Sequence, residues 1–405
     1  MTIGHVTATI ARVRGAMRIG AAGAGLIAVL LALPSAAVAD DGRVEVHKPL
    51  AGPKTAQDVR EFWTPARMRK ATPAEIEVER DPGEVKRASA AGGPAAAAAA
   101  VPQPDNVAYP NRVVGKVFYT QPGVGDFVCS ASVINTDTAA FAFTAGHCVQ
   151  DPDTGAPAEN WMFVPGYKNG AAPFGEFVAR ELWRPSFPPG FSINFDHGAA
   201  ILGPSASGQS VEDAVGALGI ALFERPAQNW RAYGYPAEAP FDGEGLFSCD
   251  SRTVALDVEL NPPPIGINCD MTAGSSGGPW LIRGNLVASN SSFVAPDELP
   301  GVLFGPQFNQ DAADLFDRAH PGAACGGKQP FIVGTEGPDR LVGTKLRDVI
   351  IGDAGNDVII GKGGKDRLCG EEGKDTLKGG KKKDLCDGGP GRDKARKCEK
   401  KKKRL

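Results

Sequence analysis

Long apolar runs are missing from this sequence once its first 33 residues are past, and nothing later could cross a bilayer as a helix. Histidine is nearly as scarce, with five in 405 residues, so a general base has few candidates. The basic C-terminal end has no aromatic residue among its lysines to stack on bases, which argues against nucleic acid as a partner. What the N-terminus does have is a leader. Arg12, Arg14 and Arg18 precede "IGAAGAGLIAVLLAL", an apolar core of about 15 residues, and then "PSAAVADD", whose Ala37-Val38-Ala39 is a small-x-small cleavage pattern. A spanning helix needs roughly 20 apolar residues, so residues 1–39 read as a secretory signal. A secreted, extracellular location follows, with no transmembrane segment once the leader is removed.

Export makes the cysteines legible. There are eight, an even number, and an oxidising compartment favours pairing. Cys129 and Cys148 lie on what read as two neighbouring strands, and Cys249 and Cys269 flank the turn "NPPPIG". Both pairs are expected to close. In the C-terminal part Cys386 with Cys398 is the local pair, leaving Cys325 with Cys369. The formal charge of −3 hides an asymmetry: residues 361–405 hold 17 Lys and Arg against 8 Asp and Glu. The tail "KCEKKKKRL" could hold an anionic cell-surface polymer and so associate the protein with a cell wall, or it could simply be solvated.

Texture divides the chain. Residues 40–108 are polar and rich in Pro and Ala, and read as a pro-segment and linker; within them only "AQDVREFWTPARMRKA" is apolar enough to dock on anything. Over 109–322, short runs such as "RVVGKVFYT", "FVCSASVIN" and "FAFTAGHCV" alternate with Gly, Pro and Asn clusters, which predicts an all-β domain. One helix closes it, because Ala312, Leu315, Phe316 and Ala319 fall at helical spacing in "NQDAADLFDRAHPG" before Pro321-Gly322. Residues 323–333 read as a linker and 397–405 as a basic tail.

Between them, over 334–396, a nine-residue period runs without error for seven units. Aspartates fall at 339, 348, 357, 366, 375, 384 and 393, and glycines open the units at 334, 343, 352, 361, 370, 379 and 388. Glycines that turn the chain and an Asp that works with backbone carbonyls are the parts of a parallel β-roll holding Ca²⁺ between its coils. The array resembles the haemolysin-type (RTX) calcium-binding repeats. The resemblance implies Ca²⁺ as a non-catalytic cofactor, with Asp339, Asp357, Asp366, Asp375 and Asp393 as ligands. Leu346 and Lys382 stand where turn glycines belong, and lysines at 365, 374, 381, 382 and 383 oppose a divalent cation, so not every turn is expected to be loaded.

The chemistry centres on "CDMTAGSSGGPW", residues 269–280. A Gly-x-Ser-x-Gly core serves either a strand-to-helix elbow, whose acid and histidine follow the serine, or a glycine loop that aims backbone N–H groups at an oxyanion, with the histidine first. Here His147 in "FTAGHCV" comes first, then Asp196 in "NFDHGAAIL", then Ser276. His5, His47 and His320 are set aside by position, and His197 reads as an exposed neighbour of Asp196 rather than a rival base. Serine needs a base, imidazole can take and return the proton, and a carboxylate fixes the imidazole tautomer.

"TAGHC", "DHGAAIL" and "GSSGGP" together resemble the three signature segments of the trypsin-like serine endopeptidases, and "RVVGKVFYT", "FVPGY" and "YGYPA" bring residues 109–322 near the secreted bacterial V8-like branch. The resemblance implies a chymotrypsin-like double β-barrel acting on proteins or peptides, with His147, Asp196 and Ser276 as triad and the N–H groups of Gly274 and Ser276 as oxyanion hole. Ser275 replaces the aspartate that receives a new N-terminus in the trypsin branch, so cleavage before Val113 is not expected to act as a switch. Asp270 stands six residues before the nucleophile, where trypsin-like enzymes keep a pocket carboxylate, and Asn290 lies on the implied pocket strand "VASNSSF". This points to a basic or broad side-chain preference rather than an acidic one. The alternative function is a non-enzymatic, calcium-dependent surface or adhesion protein built on a dead protease fold.

Overall fold

The computed structural model describes residues 43–49, 54–76, 85–87, 99–186, 192–296, 299–321, 324–328 and 331–402. The leader at 1–39, the Ala-rich tract at 91–98 and the end of the basic tail lie outside them.

Two antiparallel barrels carry the site. In the first, strands Val114–Gln121, Gly125–Val133, Phe141–Thr144, Gly198–Leu202, Phe177–Pro185 and Glu159–Pro165 pair in ring order, and the last closes back on the first. Closure removes every sheet edge and buries a full set of inward side chains. Val117, Phe143, Trp161, Phe163 and Leu182 fill this interior.

The second barrel follows the order Leu286–Asn290, Pro279–Ile282, Asn229–Gly234, Phe247–Asp257, Ile265–Asn268, Val302–Gly305 and Phe293–Val294. Leu286–Asn290 and Phe293–Val294 are consecutive in the chain, interrupted at 291–292, so this interrupted run pairs on both sides and completes the ring. Trp230 and Trp280 meet edge to face at 5.8 Å in its interior. The helix expected before Pro321 is Gln310–Ala319; the Asn309 side chain caps its N-terminus, and Ala312, Leu315, Phe316 and Ala319 are buried beneath it.

The C-terminal part is a solenoid of two parallel sheets. One stacks Ile332–Val333, Val349–Ile351, Arg367–Cys369, Leu385–Asp387 and Lys400–Lys402; the other stacks Arg340–Val342, Val358–Gly363, Thr376–Lys381 and Lys394–Arg396. Ile332 pairs with Ile350 and Leu341 with Ile359, so one coil takes two nonapeptides. Each nonapeptide sends one apolar side chain inward, and Ile350, Ile359, Leu368 and Leu377 form a dry stack.

Residues 323–333, read from sequence as a linker, supply the strand that joins roll to barrel. Ile332–Val333 pairs antiparallel with Gly219–Ala221, a strand that runs parallel beside Leu286–Asn290 of the second barrel, and parallel with Val349–Ile351 of the stack. The interiors are correspondingly continuous, with Trp280 and Leu286 in the same apolar cluster as Ile350 and Leu368. Asn285 donates to Asp339 at 2.6 Å and Asn135 to Asp353 at 2.5 Å across the junction.

All eight cysteines are paired: Cys129–Cys148, Cys249–Cys269, Cys325–Cys369 and Cys386–Cys398. Among the described residues no helix is long and apolar enough to cross a membrane.

Candidate active site and calcium-binding repeats

His147 sits in a single 3-10 turn, Gly146–Cys148, which leaves the Phe141–Thr144 strand at the barrel junction. The turn is held from below: Cys148 is bonded to Cys129 on the neighbouring strand, and the Trp161 indole donates to the Cys148 carbonyl at 3.0 Å. Asp196 ends the 3-10 turn Ile193–Phe195, just before the Gly198–Leu202 strand. Its Oδ2 lies 2.8 Å from His147 Nδ1, and its Oδ1 accepts the His147 backbone N–H at 2.9 Å. Ser292 Oγ adds a third bond to Oδ2 at 2.6 Å. Burial, the largest single influence, pushes this carboxyl up, but the charge and hydrogen bonds of His147 and Ser292 outweigh it and hold it below the usual carboxylate range. An ionised carboxylate there fixes the imidazole tautomer that leaves Nε2 free to accept. His147 Nε2 is buried and has no hydrogen-bond partner.

Ser276 belongs to a loop that only glycines could make. Gly274 and Gly277 have φ of +91° and +80°. A side chain on Gly274 would meet the Tyr235 carbonyl at 2.8 Å, and one on Gly277 would run into Thr144 and the Ser130 carbonyl. Ser130 threads the loop to the first barrel: its N–H donates to the Ser276 carbonyl at 2.7 Å, and its hydroxyl donates to the Gly274 carbonyl at 2.9 Å. Ser275 turns away, with its hydroxyl on the Thr272 carbonyl at 2.8 Å. The Ser276 loop therefore sits against the His147 turn, with the Ser276 carbonyl 3.8 Å from Cys148 Sγ. Ser276 Oγ, however, donates to the carbonyl of Ala74 at 3.2 Å, and the Gly274 N–H donates to the same oxygen at 3.1 Å.

The remaining residues singled out from sequence occupy other places. Asp270 Oδ1 accepts the backbone N–H of Ala100 at 2.6 Å. Asn290 is buried and donates to the backbone carbonyl of Asp196 at 3.2 Å, bracing the acid from behind. His197, expected to be exposed, is instead fully buried, packed edge to face against Phe143 and Phe308. Burial pushes its pKa down to about 4, so it is neutral at pH 7. His320 accepts the Asp137 N–H at 3.2 Å, a structural bond far from the serine. Sequence reasoning missed Ser292 and Ser130, one between two strands and one within a strand; the partners of both lie far along the chain. Cys129, His147 and Cys148 approach closely enough to suggest a metal site, but both sulfurs are in the disulfide.

In the roll, one carboxylate oxygen of each repeat aspartate is used for the fold. Asp339, Asp348, Asp357, Asp366 and Asp375 each donate their N–H to Oδ1 of the aspartate 18 residues on, at 2.8–3.0 Å. The other oxygen is left over: Oδ2 of Asp357, Asp366, Asp375, Asp384 and Asp393 is buried without a partner. Each points over the glycine that opens its unit, and at Gly352 and Gly361 the carbonyl of the glycine 18 residues on converges on the same space, 2.7 and 2.8 Å from where a Cβ would stand. A hard cation suits such a set of carboxylate and carbonyl oxygens. Without one, burial pushes the carboxyls of Asp357 and Asp366 up to about 7.

Asp339, counted among the ligands from sequence, has both oxygens taken, by Thr335 and by Asn285. Asp384, not counted, has its Oδ2 free. Glu399 Oε2 replaces an aspartate at the end of the stack by accepting the Asp384 N–H at 2.5 Å.

Residues 333–368 and 363–395 match the family model of the RTX calcium-binding nonapeptide repeat, so this part of the chain carries calcium-binding repeats. No curated protein matches the chain. Among solved structures it is similar to the thermostable serine protease AL20 from an extremophilic microorganism, at 35% identity over 52% of this chain and 98% of that one, with a TM-score of 0.47. It is also similar to the protease Anisep from Arthrobacter nicotinovorans, at 30% identity over 52% of this chain and 96% of that one, TM-score 0.47. The chain belongs to the trypsin-like serine protease family. A Glu endopeptidase is a more distant likeness, at 15% identity over 55% of this chain and 96% of that one, TM-score 0.46. The protease domain and the repeats thus account for most of the described residues.

Proposed function

We propose that the protein is an exported serine endopeptidase that cuts peptide bonds through His147, Asp196 and Ser276, with its calcium-binding roll as a stabilising or tethering part. The observation that carries this reading is the buried Asp196–His147 pair at 2.8 Å, with His147 Nε2 left without a partner and the adjoining Cys148 Sγ 3.8 Å from the Ser276 carbonyl. Ser276 Oγ would attack the substrate carbonyl carbon as its proton passes to Nε2, the imidazolium being stabilised by Asp196. The oxyanion would be met by the N–H groups of Gly274 and Ser276, which the loop aims without further reorganisation. The proton on Nε2 then goes to the leaving amine, and water repeats the sequence in reverse on the acyl-enzyme.

Calcium, when bound, supplies fixed positive charge among the roll carboxylates and takes no part in these steps. The paired cysteines and the leader read at 1–39 favour an extracellular location. Lys374, Lys378, Lys381, Lys382 and Lys383 are exposed on the roll and offer a cationic face to an anionic cell-surface polymer. Asp270 favours a basic or broad preference, and its carboxylate is reachable once Ala100 leaves it.

The test is hydrolysis of a peptide library by the processed protein and by Ser276→Ala, each with and without EDTA. Cleavage that vanishes in Ser276→Ala supports the peptidase and reports its preference. Silence from the folded, processed wild type would favour the non-enzymatic surface protein.

A further inference from the structure

The segment before the barrels is seated on them with care. The Thr55 capping box starts helix Ala56–Phe62, and Thr64 caps Pro65–Met68. Between them Trp63 is buried, with its indole on the Asn160 carbonyl at 2.6 Å and its ring 5.6 Å from Phe118 of the first barrel. Arg67 binds Asp126 at 2.6 Å. This docked pair of helices delivers residues 72–76, "TPAEI", to the cleft.

We propose that residues 72–76 are an intramolecular inhibitor lying across the nucleophile, an inference that rests on the peptidase reading above. Thr72–Pro73 adds to the Gly125–Val133 strand in parallel, opposite Phe127 and Val128. The Ala74 N–H donates to Val128 at 3.0 Å, and on the far side the Val294 N–H donates to the Ile76 carbonyl at 3.2 Å. Ile76 is buried in the same apolar cluster as Phe293, Leu299 and Phe304. Main-chain pairing on both sides with one apolar anchor is how a cleft holds an extended peptide.

The Ala74 carbonyl takes the two groups that catalysis needs. It accepts the Ser276 hydroxyl, whose proton is meant for His147, and the Gly274 N–H, which is meant for the oxyanion. His147 Nε2 has no partner while this arrangement holds. The serine is therefore held as a donor to the carbonyl oxygen instead of an activated nucleophile facing the carbonyl carbon.

The polarity of the segment protects it. A leaving amine lies on the C-terminal side of the attacked carbonyl and must face His147, which the Cys129–Cys148 disulfide ties to the Gly125–Val133 strand. Residues 72–74 come in along that strand, and the chain after Ala74 departs toward Val294. The departing amide of Glu75 is thus carried away from the base that would have to protonate it.

The test compares the full chain from Asp40 with Ile76→Asp, Ala74→Pro and Ser276→Ala, by the rate at which a fluorophosphonate labels Ser276. Ile76→Asp puts a charge in the anchor cluster, and Ala74→Pro deletes the N–H given to Val128. Each is expected to label at least about tenfold faster than wild type, because the reagent reacts only with the open fraction. Ser276→Ala should not label. Equal rates in wild type and in folded variants, judged by melting temperature, would overturn the inhibitor while leaving the peptidase standing. Self-cleavage giving a fragment that ends at Ala74 would overturn it too, since the segment would then be a substrate. Should Ile76→Asp not fold, Ala74→Pro decides alone. Failure of every form to label, opened variants included, removes the peptidase reading and the inhibitor with it.

Discussion

At the scale of single residues, Asp196 is the most constrained group in the cleft, accepting hydrogen bonds from a ring, a backbone N–H and a hydroxyl while fully buried. Asp196→Asn keeps the size but offers an amide where an acceptor is needed, and His147 then takes the wrong tautomer. A loss of about 10⁴ in kcat is expected, with the melting temperature little changed. His197, one residue on, makes a different prediction. Its folded pKa of about 4 lies below the unfolded value of 6.5, so the unfolded state binds the proton first. Stability from this group is full above pH 6.5 and is lost as pH falls from there toward 4, by about 3 kcal/mol at most. In His197→Phe the difference in unfolding free energy between pH 7 and pH 4.5, from urea melts, should shrink by about 2 kcal/mol; an unchanged difference would place the acid sensitivity elsewhere. The pairing of His147 with Asp196 was legible from sequence because the chemistry dictates residue types and their order. The burial of His197 was not, because Phe143 and Phe308 arrive from distant strands and no local pattern announces them.

At the scale of elements, the nonapeptide was the plainest feature of the sequence, since each unit repeats one turn and one inward side chain. Which aspartates are free for metal was less plain, although a signal was present. In the first two units a threonine follows the opening glycine, and Thr335 and Thr344 turn back onto Asp339 and Asp348. From the third unit on that position is Asp, Lys, Glu, Gly and Gly in turn, and Oδ2 of the unit's aspartate is left without a partner. Gly361→Ala tests the geometry directly. Its Cβ would intrude on Asp366 Oδ2 and stand 2.8 Å from the Gly379 carbonyl, in the space assigned to the ion. Calorimetric titration with Ca²⁺ should lose one binding equivalent relative to wild type while the circular dichroism of the roll is kept; an unchanged stoichiometry would move the ion away from this glycine. Residues 54–76 are the opposite case. Their docking was foreshadowed by the apolar content of "AQDVREFWTPARMRKA", but the contacts of Ala74 are made by backbone atoms, which leave no mark on a sequence.

At the scale of the whole molecule, the two-residue strand Ile332–Val333 matters most, because it makes one sheet out of the second barrel and the roll. A strand so short, sitting in "FIVG" between glycine-rich stretches, reads as a connection, and the sequence offered no reason to expect pairing on both sides. Its consequence is mechanical. Asn135, Asn285 and the Cys325–Cys369 bridge all cross the same junction, so the roll cannot unfold without disturbing the barrel that holds the Ser276 loop. Calcium binds the folded roll only, and at a concentration about 100-fold above its dissociation constant a single ion adds about 2.7 kcal/mol. For a unit of this size that corresponds to a rise of about 4 °C in melting temperature. With a shared sheet and a shared interior, that rise should appear in the protease domain as well. Calorimetry with and without EDTA should give one transition that moves as a whole, and the thermal loss of fluorophosphonate labelling in Ile76→Asp should move with it. Two separate transitions, with labelling indifferent to EDTA, would mean that the junction does not transmit stability and that the roll serves only as a tether.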